Sequence, residues 1–108
     1  MQHVTVDDLD QAATPTDADQ RVLTDALETT DVAINHYRLQ SDERLSGSLH
    51  AHADQEEVFV VTEGAVTFHT DEADDDSVTV AAGEAVRFGR EEFQTGVNEG
   101  DEAAAVIA

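Results

Sequence analysis

The chain has 108 residues, of which 25 are Asp or Glu and five are Arg, and it contains neither lysine nor cysteine. Its formal net charge is −20 at pH 7, so no basic stripe exists that could neutralise phosphates, and nucleic-acid binding is not expected. The absence of cysteine excludes disulfides, thiolate metal sites and thiol nucleophiles. The length suits one domain with one core.

The acidic residues are spread along the whole chain, which indicates a solvated acidic surface rather than a disordered acidic tail. At molar salt the Debye length falls to about 3 Å, and self-repulsion of such a surface is screened. Together with the absence of lysine, this pattern is typical of cytoplasmic proteins from salt-accumulating halophiles. An acidic mesophilic protein, or one that binds cationic partners, is the alternative. The N-terminus is neither basic nor apolar, and no run approaches 18 apolar residues, so we expect a soluble protein with no membrane contact.

The first element in chain order is a polar segment, residues 1–20, which holds the single proline and is predicted to be an N-terminal arm or loop. The remaining residues, 21–108, are predicted to form the domain. Residues 21–30 fit either a helical turn or a strand followed by a bend. From residue 31 the pattern is that of short strands. The expected strands lie within residues 31–40, 57–64, 65–70, 77–88 (two strands, broken at Ala82-Gly83) and 103–108, with a solvated acidic loop at 71–76. This spacing predicts an all-β sandwich or small barrel.

Residues 46–64, SGSLHAHADQEEVFVVTEG, contain the pattern richest in chemistry. His50 and His52 would project from the same side of an extended strand, because successive side chains alternate between faces. After a turn, the next strand could direct Glu57 towards the same point. Two neutral imidazoles and one carboxylate form a facial ligand set that suits divalent Fe, Mn, Ni or Zn and leaves coordination positions open.

The spacing His50-x-His52-x4-Glu57-x6-Gly64 resembles the first signature of the cupin superfamily, G-x5-H-x-H-x3,4-E-x6-G, except that Arg44 replaces the first glycine. This resemblance implies a single-domain jelly-roll barrel of two facing antiparallel sheets with a metal near its middle. Glu57 is the preferred ligand over Glu56, because six residues then separate it from the closing glycine.

The second cupin signature, G-x5-P-x-G-x2-H-x3-N, can be aligned with Gly83 to Asn98. Gly83 and Asn98 match, Gly89 and Glu91 replace the proline and the second glycine, and Gln94 replaces the metal-binding histidine. The resemblance therefore places the amide oxygen of Gln94 at the fourth ligand position, with a three-coordinate site or a cupin that has lost its metal as the alternatives. An amide oxygen is a neutral donor and binds these cations less well than imidazole.

The function that follows from the resemblance is binding of a divalent transition metal and a small organic molecule. Metal-assisted oxidation or isomerisation is one expectation, and a non-catalytic module that holds a small ligand or a metal is the other. A proton-transfer group inside the barrel would distinguish them. His36 and Tyr37 are the candidates, and they fall on opposite faces of their strand. The apolar end AAAVIA is expected in the middle of a sheet or at an interface, and a homodimer is expected.

Overall fold

The computed structural model describes residues 1–13, 16, 18–46, 55–70, 77–90 and 92–108. The predicted acidic loop at 71–76 and the histidines His50 and His52 lie outside these residues. Within the described part, one short 3-10 helix, Val6–Asp8, accompanies eight strands. The strands are β1 (Asp19–Val22), β2 (Asn35–Leu39), β3 (Glu57–Glu63), β4 (Ala65–His69), β5 (Ser77–Ala81), β6 (Ala85–Phe88), β7 (Thr95–Val97) and β8 (Ala104–Ile107).

The strands form two antiparallel sheets, one of five strands in the order β1-β2-β8-β3-β6 and one of three in the order β5-β4-β7. The all-β prediction of two facing sheets in a jelly-roll barrel is confirmed. Residues 21–30 combine the two possibilities: β1 ends at Val22, and the turn that follows contains a helical-type hydrogen bond, with Leu27 N donating to Leu23 O.

The apolar C-terminal strand β8 is central in the larger sheet, between β2 and β3. Ala104 and Val106 are fully buried on its inner face, while Ile107 lies on the outer face and is half-buried. Its lack of charge therefore reflects its position between two hydrogen-bonded neighbours, which is the mid-sheet position expected from sequence.

The core lies between the sheets and contains side chains that alternate along their strands. Val61 on β3, Val66 and Phe68 on β4, and Leu39 on β2 are all fully buried. Each large apolar side chain removed from water contributes about 1.5–3 kcal/mol to the stability of the fold. Burial of these alternating side chains therefore holds the two sheets together.

Gly64 forms the tight connection from β3 to β4. Its φ is +69°, a conformation that glycine adopts without steric cost. A Cβ there would lie 2.5 Å from the carbonyl oxygen of Ala103 on the segment that enters β8. The closing glycine of the first signature is thus required by both backbone conformation and space.

Asn98, just after β7, forms hydrogen bonds that stabilise one end of the barrel. Its buried Nδ2 donates to the carbonyl oxygens of Leu39, 3.1 Å away, and Glu102, 2.8 Å away. Its Oδ1 accepts from Gly100 N at 3.0 Å. One side chain therefore joins the end of β2 to the loop that leads into β8.

Candidate metal centre

Glu57 stands at the start of β3, at the barrel end opposite Asn98, and lies on the inner face together with Phe59 and Val61. Phe59 and Val61 are buried and continue this face as an apolar lining. The neighbouring Glu56 is exposed and pairs with Arg87 on β6, with Oε1 2.7 Å from Nη2. Adjacent glutamates therefore occupy different environments, and only Glu57 faces the interior.

Gln94 lies immediately before β7, and its side chain is 4% exposed. Its Nε2 donates a hydrogen bond to Oε2 of Glu57 at 3.1 Å. An ionised carboxylate only accepts hydrogen bonds, so Glu57 fixes the orientation of the amide and turns the Gln94 oxygen away from itself. That oxygen, Oε1, is buried and has no hydrogen-bond partner among the described residues.

The two predicted histidine ligands, His50 and His52, lie outside the described residues. Among the residues that are described, no group of three or more His, Asp or Glu side chains is arranged to hold a metal. Of the four predicted ligands, the structure thus brings together Glu57 and Gln94, which sequence alone did not predict to be hydrogen-bonded to each other.

The described donor atoms fit a divalent cation. A buried carbonyl oxygen without a donor costs about 1–3 kcal/mol relative to a satisfied one, and this cost disappears when a cation or a ligand donor approaches it. The Gln94 amide is held through its nitrogen by the carboxylate of Glu57, whose negative charge attracts a cation to the same region. With two imidazoles the set would be of mixed nitrogen and oxygen donors, which suits Fe, Mn, Ni or Zn.

Three phenylalanines form the apolar wall next to this pair. The ring centroids of Phe59 and Phe68 are 4.9 Å apart, those of Phe68 and Phe88 are 5.6 Å apart, and those of Phe59 and Phe88 are 6.1 Å apart. Phe88 is the cross-strand partner of Glu57. This wall lowers the local dielectric constant, and electrostatic interactions of the Glu57 carboxylate are stronger there than in water.

Gly96 on β7 packs against this aromatic cluster, where a side chain would not fit. A Cβ at Gly96 would lie 2.8 Å from Cε1 of Phe68 and 2.7 Å from Cδ1 of Leu45. Nothing in the local sequence indicated which ring would require the missing side chain.

The two candidates for proton transfer lie on opposite faces of β2, as strand alternation requires. Tyr37 lies on the inner face of β2 and packs against the core, whereas His36 lies on the outer face beside Arg21 of β1. Burial raises the pKa of Tyr37, and the negative charge of Glu57 raises it further. Burial lowers the pKa of His36, and Arg38 lowers it too, against the opposing charge of Asp19. Tyr37 is therefore a neutral phenol that faces the Glu57 side of the interior.

His69 does not belong to this site. It lies at the end of β4 on the outer face of the smaller sheet, with Nε2 2.9 Å from Oε2 of Glu99. Its side chain is 12% exposed. Glu99 lies 30 residues further along the chain, so this contact depends on the tertiary fold.

Comparison with known proteins gives the family. A family model for the cupin domain matches residues 36–108. The chain belongs to the cupin family. Within the cupin match lie both signatures, with Gln94 at the position of the second signature's histidine. No curated protein matches the chain in sequence.

Solved structures similar to this cupin share its fold at low sequence identity. A sugar phosphate isomerase from Silicibacter pomeroyi has 20% identity and a TM-score of 0.77 over 97% of this chain and 72% of its own. A polyketide cyclase from Streptomyces resistomycificus has 19% identity and a TM-score of 0.79 over 99% and 76%. A predicted oxalate decarboxylase from Thermotoga maritima has 17% identity and a TM-score of 0.76 over 98% and 97%. Within the described part of the chain, no helix is long and apolar enough to span a membrane.

Proposed function

We propose that this cupin binds a divalent transition metal through His50, His52, Glu57 and Gln94, and that the metal-loaded barrel binds a small organic molecule. The observation that carries the proposal is the buried Gln94 oxygen, which has no described hydrogen-bond partner and belongs to an amide whose nitrogen donates to the Glu57 carboxylate. A buried polar atom in a native fold ordinarily has a partner. A cation beside Glu57 supplies one.

A divalent ion held by His50, His52, Glu57 and Gln94 would supply Lewis acidity or oxidation chemistry to the bound molecule. Tyr37 supplies a hydroxyl that stays protonated at neutral pH, because burial and Glu57 raise its pKa. Such a phenol donates a hydrogen bond to a ligand oxygen. The phenylalanine wall excludes water from the same region and favours a ligand with an apolar part.

Metal-assisted oxidation or isomerisation of a small organic molecule is the catalytic form of this proposal. The similar structures named above include an isomerase and a cyclase, and others are oxalate oxidases in complex with glycolate, of whose length this chain covers 56%. Their variety supports a small-molecule site in this fold without selecting one reaction. A non-catalytic ligand-binding module is the second candidate. The non-catalytic candidate is favoured by the position of His36, which faces away from the interior. Of the two candidates for proton transfer, only Tyr37 then faces inward, and tyrosine is a weak base.

Elemental analysis by plasma mass spectrometry tests the metal site. We expect near-stoichiometric transition metal in the untagged protein purified in high salt without chelator, and its loss in His50→Ala. His36→Ala is the matched control, since it removes a histidine from an outward-facing strand position, and its metal content should equal that of the wild type. Absence of metal from the wild type even after reconstitution would refute the metal site and leave an organic ligand to satisfy the Gln94 oxygen.

We further propose that the surface is adapted to a cytoplasm of molar salt. If every one of the five arginines paired with one acid, 25 − 5 = 20 carboxylates would still have no arginine partner. Their repulsion destabilises the compact state in dilute buffer and is screened at high ionic strength.

A further inference from the structure

All five arginines of the chain belong to the described residues, and all of them lie outside the barrel. Since the chain has no lysine, arginine is its only side chain that is always cationic. Three arginines project from the outer face of the five-stranded sheet, where each contacts a carboxylate. The pairs are Arg21 with Asp19 at 2.7 Å, Arg38 with Glu63 at 3.5 Å and Arg87 with Glu56 at 2.7 Å.

The other two arginines, Arg44 and Arg90, are exposed. Arg44 lies opposite Val97 of β7, and the next residue, Leu45, packs against the core. Alternation along the extended chain therefore directs Arg44 outward. Arg90 lies on the loop between β6 and β7, which leads to Gln94. Arg90 is thus at the same end of the barrel as the candidate metal centre, but in contact with solvent.

The interior offers a different set of groups. Tyr37, Leu45 and Glu57 are half-buried side chains of the inner faces. Next to Glu57 are the rings of Phe59 and Phe88, which are 4% and 5% exposed. The described interior therefore provides apolar contacts and a phenolic hydroxyl, and the charge that it carries is the negative charge of Glu57.

We infer that the ligand of this cupin has an apolar body and at most one negative charge, an inference that rests on the proposed function. Carboxylates and phosphates are commonly recognised by arginine, whose planar group pairs with two oxygens at once, and every arginine of this chain is placed elsewhere. Because Glu57 supplies one negative charge, a divalent ion would leave one positive charge for the ligand to balance. A dianion would bring an uncompensated charge into an apolar interior, which is costly.

Salt makes this selection local. With a Debye length of about 3 Å at molar salt, exposed charges such as that of Arg90 are screened, whereas charges in the interior are screened much less. The net charge of −20 on the whole chain then has little effect on which molecule enters. Selection depends on the side chains of the interior, and it acts against phosphate esters and dicarboxylates.

Calorimetric titration of the zinc-loaded protein in molar salt with three related acids tests the inference. Lactate and mandelate share a 2-hydroxycarboxylate with one negative charge, and mandelate adds a phenyl ring. Phenylmalonate keeps that ring and replaces the hydroxyl by a second carboxylate. We expect mandelate to bind about tenfold tighter than lactate, because its ring leaves water. The ratio of phenylmalonate to mandelate affinity should be about tenfold lower on the protein than on hydrated zinc.

Three variants show where the selection arises. Tyr37→Arg adds a cation to the interior and should raise the affinity for phenylmalonate, relative to mandelate, about tenfold. His36→Arg is the matched control, because it adds the same charge one residue away on the outer face, and it should leave the ratio unchanged. Arg90→Gln should also leave it unchanged, and this exposed position keeps the test independent of folding at Tyr37. Thermal unfolding of each variant establishes that it is folded.

Three results would overturn the inference: no binding of mandelate, equal binding of lactate and mandelate, or a phenylmalonate ratio equal to that of hydrated zinc. Loss of mandelate binding in Arg90→Gln would do so as well, since Arg90 would then supply the counter-charge. Any of these results in protein with stoichiometric zinc leaves the metal site intact. Protein that holds no zinc would refute the metal site, and the same titrations of the metal-free protein would still test the ligand. Phenylmalonate should bind more weakly than mandelate there too, because Glu57 repels a dianion more strongly, and the opposite order would overturn the inference.

Discussion

The amide nitrogen of Gln94 lies 3.1 Å from a carboxylate oxygen of Glu57, although 37 residues separate them in the chain. This hydrogen bond orients the Gln94 oxygen and leaves it buried without a described partner. Gln94 stands where other cupins place a histidine according to the second signature. The substitution has therefore preserved an inward-facing donor atom while replacing an imidazole by an amide.

Replacing Gln94 by histidine is expected to raise the affinity for Zn or Ni about tenfold, or ~1.4 kcal/mol, because imidazole is the better donor for these ions. Competition with a chromophoric chelator measures the change. Gln94→Leu is the companion variant, and it should bind metal more weakly than the wild type. Equal affinities in all three proteins would show that residue 94 does not contact the ion.

Gly64→Ala is expected to destabilise the fold by about 2–4 kcal/mol, since it combines a strained left-handed backbone with a close approach to the Ala103 carbonyl. Urea unfolding in high salt measures this. Gly83→Ala is the control, because Gly83 also has a positive φ, +87°, but has no atom within 4 Å of the added Cβ. It should cost only the backbone term of about 1–2 kcal/mol. Equal losses at the two positions would mean that the Ala103 contact relaxes without cost.

The stability of the protein should depend on pH in the alkaline range through Tyr37. Its pKa is raised in the folded protein, so the fold binds the proton more tightly than the unfolded chain does. This contribution is complete below the unfolded tyrosine pKa of about 10 and is lost as pH rises through the folded value. We expect the melting temperature of the wild type to fall more steeply over this range than that of Tyr37→Phe.

Tyr37 is the only tyrosine in the chain, and there is no tryptophan, so phenolate absorbance reports on this residue alone. Its titration midpoint in the folded protein should lie above the midpoint in urea. Coincident midpoints would contradict a buried position beside Glu57.

Lowering the salt concentration from molar to millimolar should lower the melting temperature and expand the protein, because screening of the 20 excess negative charges is lost. Differential scanning calorimetry and small-angle scattering measure the two effects. A non-ionic osmolyte at equal osmolality should fail to restore stability. A melting curve independent of salt would refute the proposed adaptation.

The strands were predictable from sequence where alternation and turns are local. Phe59 and Val61 follow from the alternating pattern of β3, and Gly64 follows from its turn. Pairing between distant strands was not predictable in this way: the contact of Gln94 with Glu57 and that of His69 with Glu99 both depend on it. Alternation predicted that His36 and Tyr37 face opposite sides, but only the packing of β2 against the core shows that Tyr37 faces inward.

Asn98 has a consequence for how this barrel can change. Its three hydrogen bonds close the end at which β2 finishes and β8 begins, whereas Glu57 and Gln94 stand at the other end. The hydrogen bonds of Asn98 and the proposed metal ligands Glu57 and Gln94 thus lie at opposite ends of one small domain. Substitutions near Gln94 would alter which ion or molecule the proposed site holds, while the Asn98 hydrogen bonds at the opposite end keep the strands in register. A cupin of this size can therefore acquire a new specificity without first becoming more stable.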